Sequence, residues 1–411
     1  MDIDQTLELI RRGTTEIVPL KELKDKLAKA SREGRSLEIK LGLDPTAPSI
    51  HIGHAVVLRK LRQFQDLGHR VTIIIGDFTG MIGDPTGKSE TRKQLTPEEV
   101  AVNAKTYADQ YHKILDPGKT QVVFNSVWLG RLNLYDIVTL LAKTTVARLL
   151  ERDDFDNRYR SGQAIHAHEL LYPICQGYDS VYLKSDVEIG GTDQRFNIMM
   201  GRDLQREYGL EPQVALFMPL LVGLDGVEKM SKSRGNYVGI DEAPGEMFGK
   251  LMSISDEMMP NYFELCTEVP LDEVRVLTDS SVTHPRTAKK RLAREIIALY
   301  HGADAAQTAD DEFERVHGKG KAEDAIPDDA PQCEIPPELI DAEGNARVTA
   351  IMVSAGLAPT VSEAKRLIQQ GGVGIDGQRV VEVTQSVRVE TGMVVKVGKN
   401  RFARLIEPSR A

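Results

Sequence analysis

Apolar residues recur along this chain in two rhythms, and their alternation predicts a parallel α/β sheet. Residues 37–43 (LEIKLGL) read as a short strand. From Gly53 to Leu67 the apolar positions Val57, Leu58, Leu61, Phe64 and Leu67 keep helical spacing, and Gly68 closes the segment. VTIIIG (71–76) is an unbroken, mostly β-branched run that suits a strand buried on both faces. Strand, loop, helix and strand in that order open a parallel sheet. The same reading predicts a helix over 97–115, a strand at QVVFNS (121–126), a helix over 134–150 and a strand at SDVEIGG (185–191). A last buried strand is predicted at QVALFMPLLVG (213–223).

Beyond about residue 240 the pattern turns helical. PRTAKKRLAREIIALYHG (285–302) has proline at its start and glycine at its end, with Leu292, Ile296 and Leu299 on one face. From Gly318 to Gly344 the composition shifts to Pro, Asp, Glu, Ala and Gly, which reads as a linker. After it come two short helices, a turn and hairpin-like strands. The predicted organisation is a Rossmann-like parallel-sheet domain over 1–225 and an α-helical domain over 226–320. An acidic linker over 321–344 and a small α+β domain over 345–411 follow.

Composition adds the class and the partner. With 41 % hydrophobic and 27 % charged residues, the chain is globular rather than disordered. No apolar run approaches the ~18 residues of a membrane helix, and the acidic N-terminus lacks a signal-peptide core, so a cytoplasmic protein without a membrane partner is expected. Three widely spaced cysteines carry no metal spacing. The net charge of −9 is unevenly spread: residues 301–345 carry −10, residues 346–411 carry +5, and the first 300 carry −4. A basic module behind an acidic connector suggests an anionic partner; uneven surface charge is the plainer alternative.

The chemistry begins at His51-Ile52-Gly53-His54, where a strand turns into the first helix of the sheet. Free N–H groups and the positive end of the helix dipole attract phosphate there. Gly53 lets a ligand approach the backbone, and imidazoles donate to phosphate or ribose oxygens. Zinc would need further ligands at metal spacing, which are missing nearby. An ordinary helix start remains the bland alternative. The second constellation, EKMSKSRGN (228–236), sets Lys229, Lys232 and Ser233 among small residues that let two ammonium groups fold over a polyphosphate. A solvated basic loop is its alternative. GDPTGKSE (83–90) is not a P-loop, because three residues rather than four separate Gly83 from Gly87.

HIGH near residue 50 and KMSKS near 230, in this order on an α/β pattern, resemble the class I aminoacyl-tRNA synthetases. IGDPTGKSETR, YPICQGYD (172–179) and IGGTDQRFN (189–197) resemble their bacterial tyrosyl branch, and the tail resembles its S4 RNA-binding module. The resemblance runs from about residue 35 to the end. It implies that L-tyrosine is activated by ATP, accompanied by Mg2+ with no dedicated protein metal site, and transferred to tRNA(Tyr). It also implies a homodimer, with 127–170 as the interface on the strength of Leu134, Ile137, Val138, Leu141 and Ala142.

By the same resemblance, Asp179 accepts a hydrogen bond from the substrate phenol, and Tyr172, Gln176 and Asp84 surround its ammonium group. Gln194 lies near its carboxylate. Asp44, Gly53, Gly191 and Asp193 belong to the ATP site, the last two facing the ribose. Thr46 and His51 meet the γ-phosphate and His54 the ribose side. Lys229, Lys232 and Ser233 close over the pyrophosphate, joined by Lys88 and Arg92. Arg366, Arg379, Lys399 and Arg401 are the expected RNA contacts. Two departures stand out. Lys40 occupies a position where many relatives carry a second, phenol-reading tyrosine, and Arg195-Phe196 replaces a frequent Trp-Gly. The rival readings are a tryptophanyl enzyme, which shares both motifs, and a non-catalytic S4 RNA-binding regulator.

Overall fold

Six strands form one sheet in the order β1-β6-β5-β2-β3-β4. They are β1 (Glu16–Val18), β2 (Glu38–Leu43), β3 (Arg70–Ile75), β4 (Thr120–Phe124), β5 (Val187–Gly191) and β6 (Val214–Met218). β1 runs antiparallel to β6, and every other pairing is parallel. The computed structural model describes residues 2–44, 50–85, 96, 99, 110–317, 330–341, 343–398 and 401–406.

The chain winds outward from β2 to β3 and β4 on one side, and from β5 to β6 on the other. β2 and β5 are therefore the switch point, where a parallel sheet leaves a crevice at the carboxyl ends of its strands. Val71–Ile75 and Val214–Met218 are buried throughout, as strands covered on both faces require. The helix Ile52–Asp66 covers one face through Ile52, Ala55, Leu58, Leu61 and Phe64. Gly68, at φ 88°, turns the chain back toward β3.

Several expectations change. The helix predicted over 134–150 is two helices, Leu134–Leu141 and Val146–Leu150. Thr145 between them has extended backbone, and its hydroxyl accepts from the Arg148 N–H at 3.1 Å, so it starts a helix rather than continuing one. The last strand stops at Met218 instead of 223, because Pro219 offers no N–H to a ladder. β4 ends at Phe124, and Ser126–Leu129 forms a short helix. The predicted helix over 97–115 lies mostly outside the described residues. The helices Ile3–Arg11 and Leu20–Glu33 and the edge strand β1 were not predicted.

The helices Pro244–Met252, Met259–Cys266, Leu271–Thr278 and Pro285–His301 do not form a domain apart from the sheet; Met1–Ala303 is one compact unit. Tyr262 Oη donates to Val222 O at 2.6 Å, Arg12 Nη2 donates to Val269 O at 2.7 Å, and Gly13 N donates to Glu264 Oε1 at 3.1 Å. No border falls at 225. None of the described helices is long and apolar enough to cross a membrane.

The second unit is Asp304–Ala411. Its strands are β7 (Gln332–Glu334), β8 (Asn345–Arg347), β9 (Val373–Ile375), β10 (Gln378–Arg379), β11 (Ser386–Arg388), β12 (Val394–Val397) and β13 (Arg401–Ile406). Five form a sheet in the order β10-β9-β12-β13-β7, and β11 pairs with β8. The helices Val348–Ser354 and Val361–Gln369 bury Ile351, Met352, Ala364 and Ile368 in its core. The linker expected up to 344 is corrected here. β7 pairs with β13, Ile335 is fully buried, and Ala330 packs with Val316 and Phe402. The rest of the expected linker, 318–329, lies outside the described residues.

Candidate active site

The nucleotide-like end of the crevice is built where the first helix begins. Ile52 N donates to Val238 O at 2.9 Å, and Ile240 N donates to Ile50 O at 3.2 Å. These two bonds tie the histidine stretch to the segment that follows the lysine loop. His51 is buried and stacks on His54, with ring centroids 3.8 Å apart and planes 22° from parallel. The His51 N–H donates to His54 Nδ1 at 3.4 Å, while His51 Nδ1 has no hydrogen-bond partner among the described groups. Gly53 packs closely on the ring beside it: a Cβ there would stand 3.0 Å from His51 Nδ1, so the imidazole would have to shift slightly.

Burial, then the neighbouring His54 and Lys232, lowers His51 to about 3. His54 is exposed along one side but packed on His51 along the other, and desolvation, then Lys232 and Lys229, lowers it to about 4. Both imidazoles are neutral at pH 7 and meet a ligand as hydrogen-bonding groups rather than as charges.

The lysine loop is held by Asn236. Ser231 N donates to Asn236 Oδ1 at 2.8 Å, and Asn236 Nδ2 donates to Asp225 Oδ2 at 2.6 Å. Met230 anchors it from below, buried, with its N–H on Leu221 O. Lys232 and Ser233 lie in the 3-10 turn Lys232–Arg234, and Ser233 Oγ is 2.9 Å from Ser231 Oγ. Lys229 Nζ pairs with Asp193 Oδ2 at 3.1 Å, whereas Lys232 Nζ lies over the Tyr237 ring at 5.7 Å. Asp193 leaves the end of β5 just after Gly191, where a Cβ would stand 2.6 Å from its carboxylate.

Deeper in the crevice a hydrogen-bonded chain links six side chains. Tyr172 Oη donates to Asp44 Oδ2 at 2.8 Å, and Thr79 Oγ1 donates to Asp44 Oδ1 at 2.9 Å. Asn125 Nδ2 reaches Thr79 Oγ1 at 3.1 Å and Asp179 Oδ2 at 3.4 Å. Trp128 Nε1 donates to Asp179 Oδ1 at 2.8 Å. Burial raises Asp179 to about 7, against the opposing charge of Lys40 and the bonds from Trp128 and Asn125. Beside this chain, Asp84 accepts from Arg152 Nη2 at 2.9 Å and Gln194 Nε2 at 2.8 Å. Asn197 bonds both of those partners. Gln176 Nε2 reaches the buried Glu188 at 3.4 Å.

The crevice thus gathers His51, Gly53, His54, Lys229, Lys232, Ser233, Gly191 and Asp193 at one end. Asp44, Tyr172, Gln176, Asp179, Asp84 and Gln194 gather at the other. Thr46, Lys88 and Arg92 lie outside the described residues. Sequence reasoning missed Thr79, Asn125, Trp128, Arg152, Asn197 and Glu188. The lone tryptophan was the one available signal among them. Among the described residues no cluster of His, Cys, Asp or Glu could hold a metal ion.

The family model for tRNA synthetases class I (W and Y) matches residues 32–318. The chain belongs to that family. An S4 domain model matches residues 347–395 of the synthetase. It is 56 % identical over 407 residues to the tyrosine–tRNA ligase of Moorella thermoacetica, covering 98 % of this chain and 96 % of the relative. It is 52 % identical over 404 residues to that of Ralstonia nicotianae, covering 97 % and 100 %. The fold is similar to the tyrosyl-tRNA synthetase of Archaeoglobus fulgidus solved with L-tyrosine, with TM-score 0.62 and 24 % identity over 75 % of this chain and 100 % of that one.

In the S4 part of the synthetase, Arg379 is exposed and its guanidinium lies against Gly371, whose φ of 72° is in the left-handed region that favours glycine. Arg366 is half-engaged by Glu363 at 2.6 Å, and Arg401 Nη1 donates to Leu357 O at 2.8 Å. Lys399 lies outside the described residues.

Proposed function

We propose that this chain is a tyrosine–tRNA ligase, which activates L-tyrosine with ATP to tyrosyl-adenylate and transfers tyrosine to the 3′-terminal ribose of tRNA(Tyr). The observation that carries the reading is near-full-length identity to ligases of that name, in a chain whose crevice holds a phosphate-friendly end and a polar pocket closed by Asp179. The family is shared with tryptophan enzymes, and the relatives decide between the two. ATP–pyrophosphate exchange tests it: tyrosine should support exchange, and tryptophan or no amino acid should not.

The reaction needs no general base. The tyrosine carboxylate is ionised at neutral pH and attacks the α-phosphorus of ATP in line, releasing pyrophosphate. Catalysis is alignment plus stabilisation of charge on phosphate oxygens. In this reading neutral His51 and His54, with Thr46, donate to the nucleotide at the helix start. Asp44, Gly53, Gly191 and Asp193 seat its ribose and base. Lys229, Lys232 and Ser233, with Lys88 and Arg92, neutralise the departing pyrophosphate. Asp84, Tyr172, Gln176 and Gln194 orient the amino acid. Mg2+ enters with ATP and is assigned no protein ligand.

The tRNA is assigned to the S4 unit through Arg366, Arg379, Lys399 and Arg401, and the work of translation places the enzyme in the cytoplasm. A homodimer completes the proposal. Leu134, Tyr135, Val138 and Val146 are 76, 80, 58 and 62 % exposed, an apolar face that a second copy would cover. Sedimentation as a monomer at micromolar concentration would overturn the dimer.

A further inference from the structure

Lys40 sits in the middle of β2 with 1 % of its surface exposed. Its register neighbours are Thr72 on β3 and Glu188 on β5. Nζ lies 3.2 Å from Glu188 Oε2, yet it makes no directed hydrogen bond to any described group. Glu188, 2 % exposed, is already well supplied with donors: Ser180 Oγ at 3.2 Å, Gln176 Nε2 at 3.4 Å, and Gln213 Nε2. Ser180 and Gln176 belong to the helix Leu171–Leu183 and flank Asp179 in sequence. The ammonium therefore lies in the layer between sheet and helix that also contains Asp179.

A buried ammonium with unused N–H groups is costly, and an oxygen from a ligand is what would complete it. Asp179 is acceptor-only when ionised, and Trp128 and Asn125 already set the direction of its two oxygens. A phenol hydroxyl is both donor and acceptor. Asp179 satisfies only the first half of that valence.

We propose that Lys40 is a specificity-determining residue: its Nζ donates to the phenolic oxygen of bound tyrosine while Asp179 accepts from the phenolic O–H. The hydroxyl is thus read on both its acceptor and its donor side. Glu188 is the positioning residue that holds the lysine in place. The inference rests on the tyrosine-activating function proposed above and names how its substrate is recognised.

The test uses ATP–pyrophosphate exchange by the full chain with tyrosine, phenylalanine and 4-aminophenylalanine. The aromatic amine can donate to Asp179, but its delocalised nitrogen is a poor acceptor for Lys40. The unmodified chain should show a kcat/KM for 4-aminophenylalanine at least about 10-fold below that for tyrosine. Lys40→Met should lower the tyrosine value about 10-fold to 100-fold, while phenylalanine and 4-aminophenylalanine change less than about 3-fold. Acceptance of the amine within about 3-fold of tyrosine by the unmodified chain overturns the proposal. So does a parallel loss with all three substrates in Lys40→Met, as breakage of a purely structural ion pair would give. Should the variant fail to fold, the comparison in the unmodified chain decides alone. No exchange with tyrosine in the unmodified chain would overturn the underlying activity instead.

Discussion

Trp128 Nε1 and Asp179 Oδ1 stand 2.8 Å apart, and the bond joins the short helix after β4 to the helix that precedes β5. Trp128 also stacks on Tyr182, with ring centroids 4.5 Å apart, so its N–H has little freedom to turn away. The carboxylate is thereby aimed before any substrate arrives.

Replacing Trp128 with phenylalanine should keep the stack and remove the donor. The N–H bond favours the ionised carboxylate, so its loss should move Asp179 above its present value of about 7. A phenol is bound better by the ionised form. The acid limb of tyrosine kcat/KM should therefore shift to higher pH, with a loss of about 10-fold at pH 7. Exchange assays between pH 6 and 9 would show it; a uniform loss at every pH would contradict it. The same raised value bears on stability. Its contribution is complete below the ordinary carboxyl value of 3.8 and is lost as pH rises through about 7.

Asp179→Ala should collapse discrimination between tyrosine and phenylalanine. A site that hydrogen-bonds a hydroxyl leaves buried groups unpaired when the hydroxyl is missing, an asymmetry for which tyrosyl-tRNA synthetases are themselves the standard example. The ratio of kcat/KM values should fall at least about 10²-fold, with the KM for ATP nearly unchanged. A preserved ratio would assign the phenol to other residues.

The stacked histidines predict an acid-side weakness. Their folded values of about 3 and about 4 lie below the ordinary 6.5, so the folded state binds fewer protons than the unfolded one. The stability they contribute is complete above about 6.5 and is lost as pH falls through 4 and 3. His51→Gln with His54→Gln should flatten the fall in Tm between pH 6.5 and 4. In the unmodified chain these groups should leave the KM for ATP level from pH 6.5 to 8. Thermal melts and exchange kinetics over that range check both statements.

Lys229 and Lys232 are held differently, by Asp193 and over Tyr237 respectively, and both are expected to act on charge that shifts during adenylate formation. Lys232→Ala should slow adenylate formation by roughly 10²-fold and change tyrosine binding less than about 3-fold. Stopped-flow measurement of the first turnover separates the two. An unchanged rate would remove Lys232 from the chemistry.

The parts legible in the sequence were those whose meaning is local. A glycine between two histidines at a strand-to-helix turn, a basic loop of small residues, and β-branched runs in the sheet all carry their physics within a few residues. Asn125, Thr79 and Trp128 matter only because β2, β3, β4 and the helix Leu171–Leu183 converge, a long-range fact that periodicity does not hold. The break at Thr145 was hidden because apolar spacing continues through it while a hydroxyl starts a new helix. The supposed linker was misread for a related reason. Gln332–Glu334 is too short to show a pattern, and its pairing depends on β13, about seventy residues later. Lys40 stands out in the sequence only as a departure from the tyrosine of many relatives; its partner Glu188, which faces it in register, is visible only in the folded sheet.

The domain border changes how the role of the basic tail should be tested. A cut at Pro331 would remove β13 and Phe402 from beneath Val316 and Ala330, exposing a core rather than separating two folds. The cut belongs after Ala303, where the first compact unit ends. That unit contains every described residue of the crevice, so tyrosine-dependent pyrophosphate exchange should stay within about 2-fold of the full chain, while aminoacylation of tRNA should fall at least about 10²-fold. Lysine and arginine contacts to phosphate release counterions, so the KM for tRNA of the full chain should rise steeply between 50 and 200 mM salt. The KM for tyrosine should stay level over the same range, because its partners Asp179, Tyr172 and Asp84 are buried from the salt. Circular dichroism of the shortened chain confirms that it is folded before either rate is read. A shortened chain that charges tRNA at the full rate across the salt series would mean that the S4 unit serves something other than tRNA.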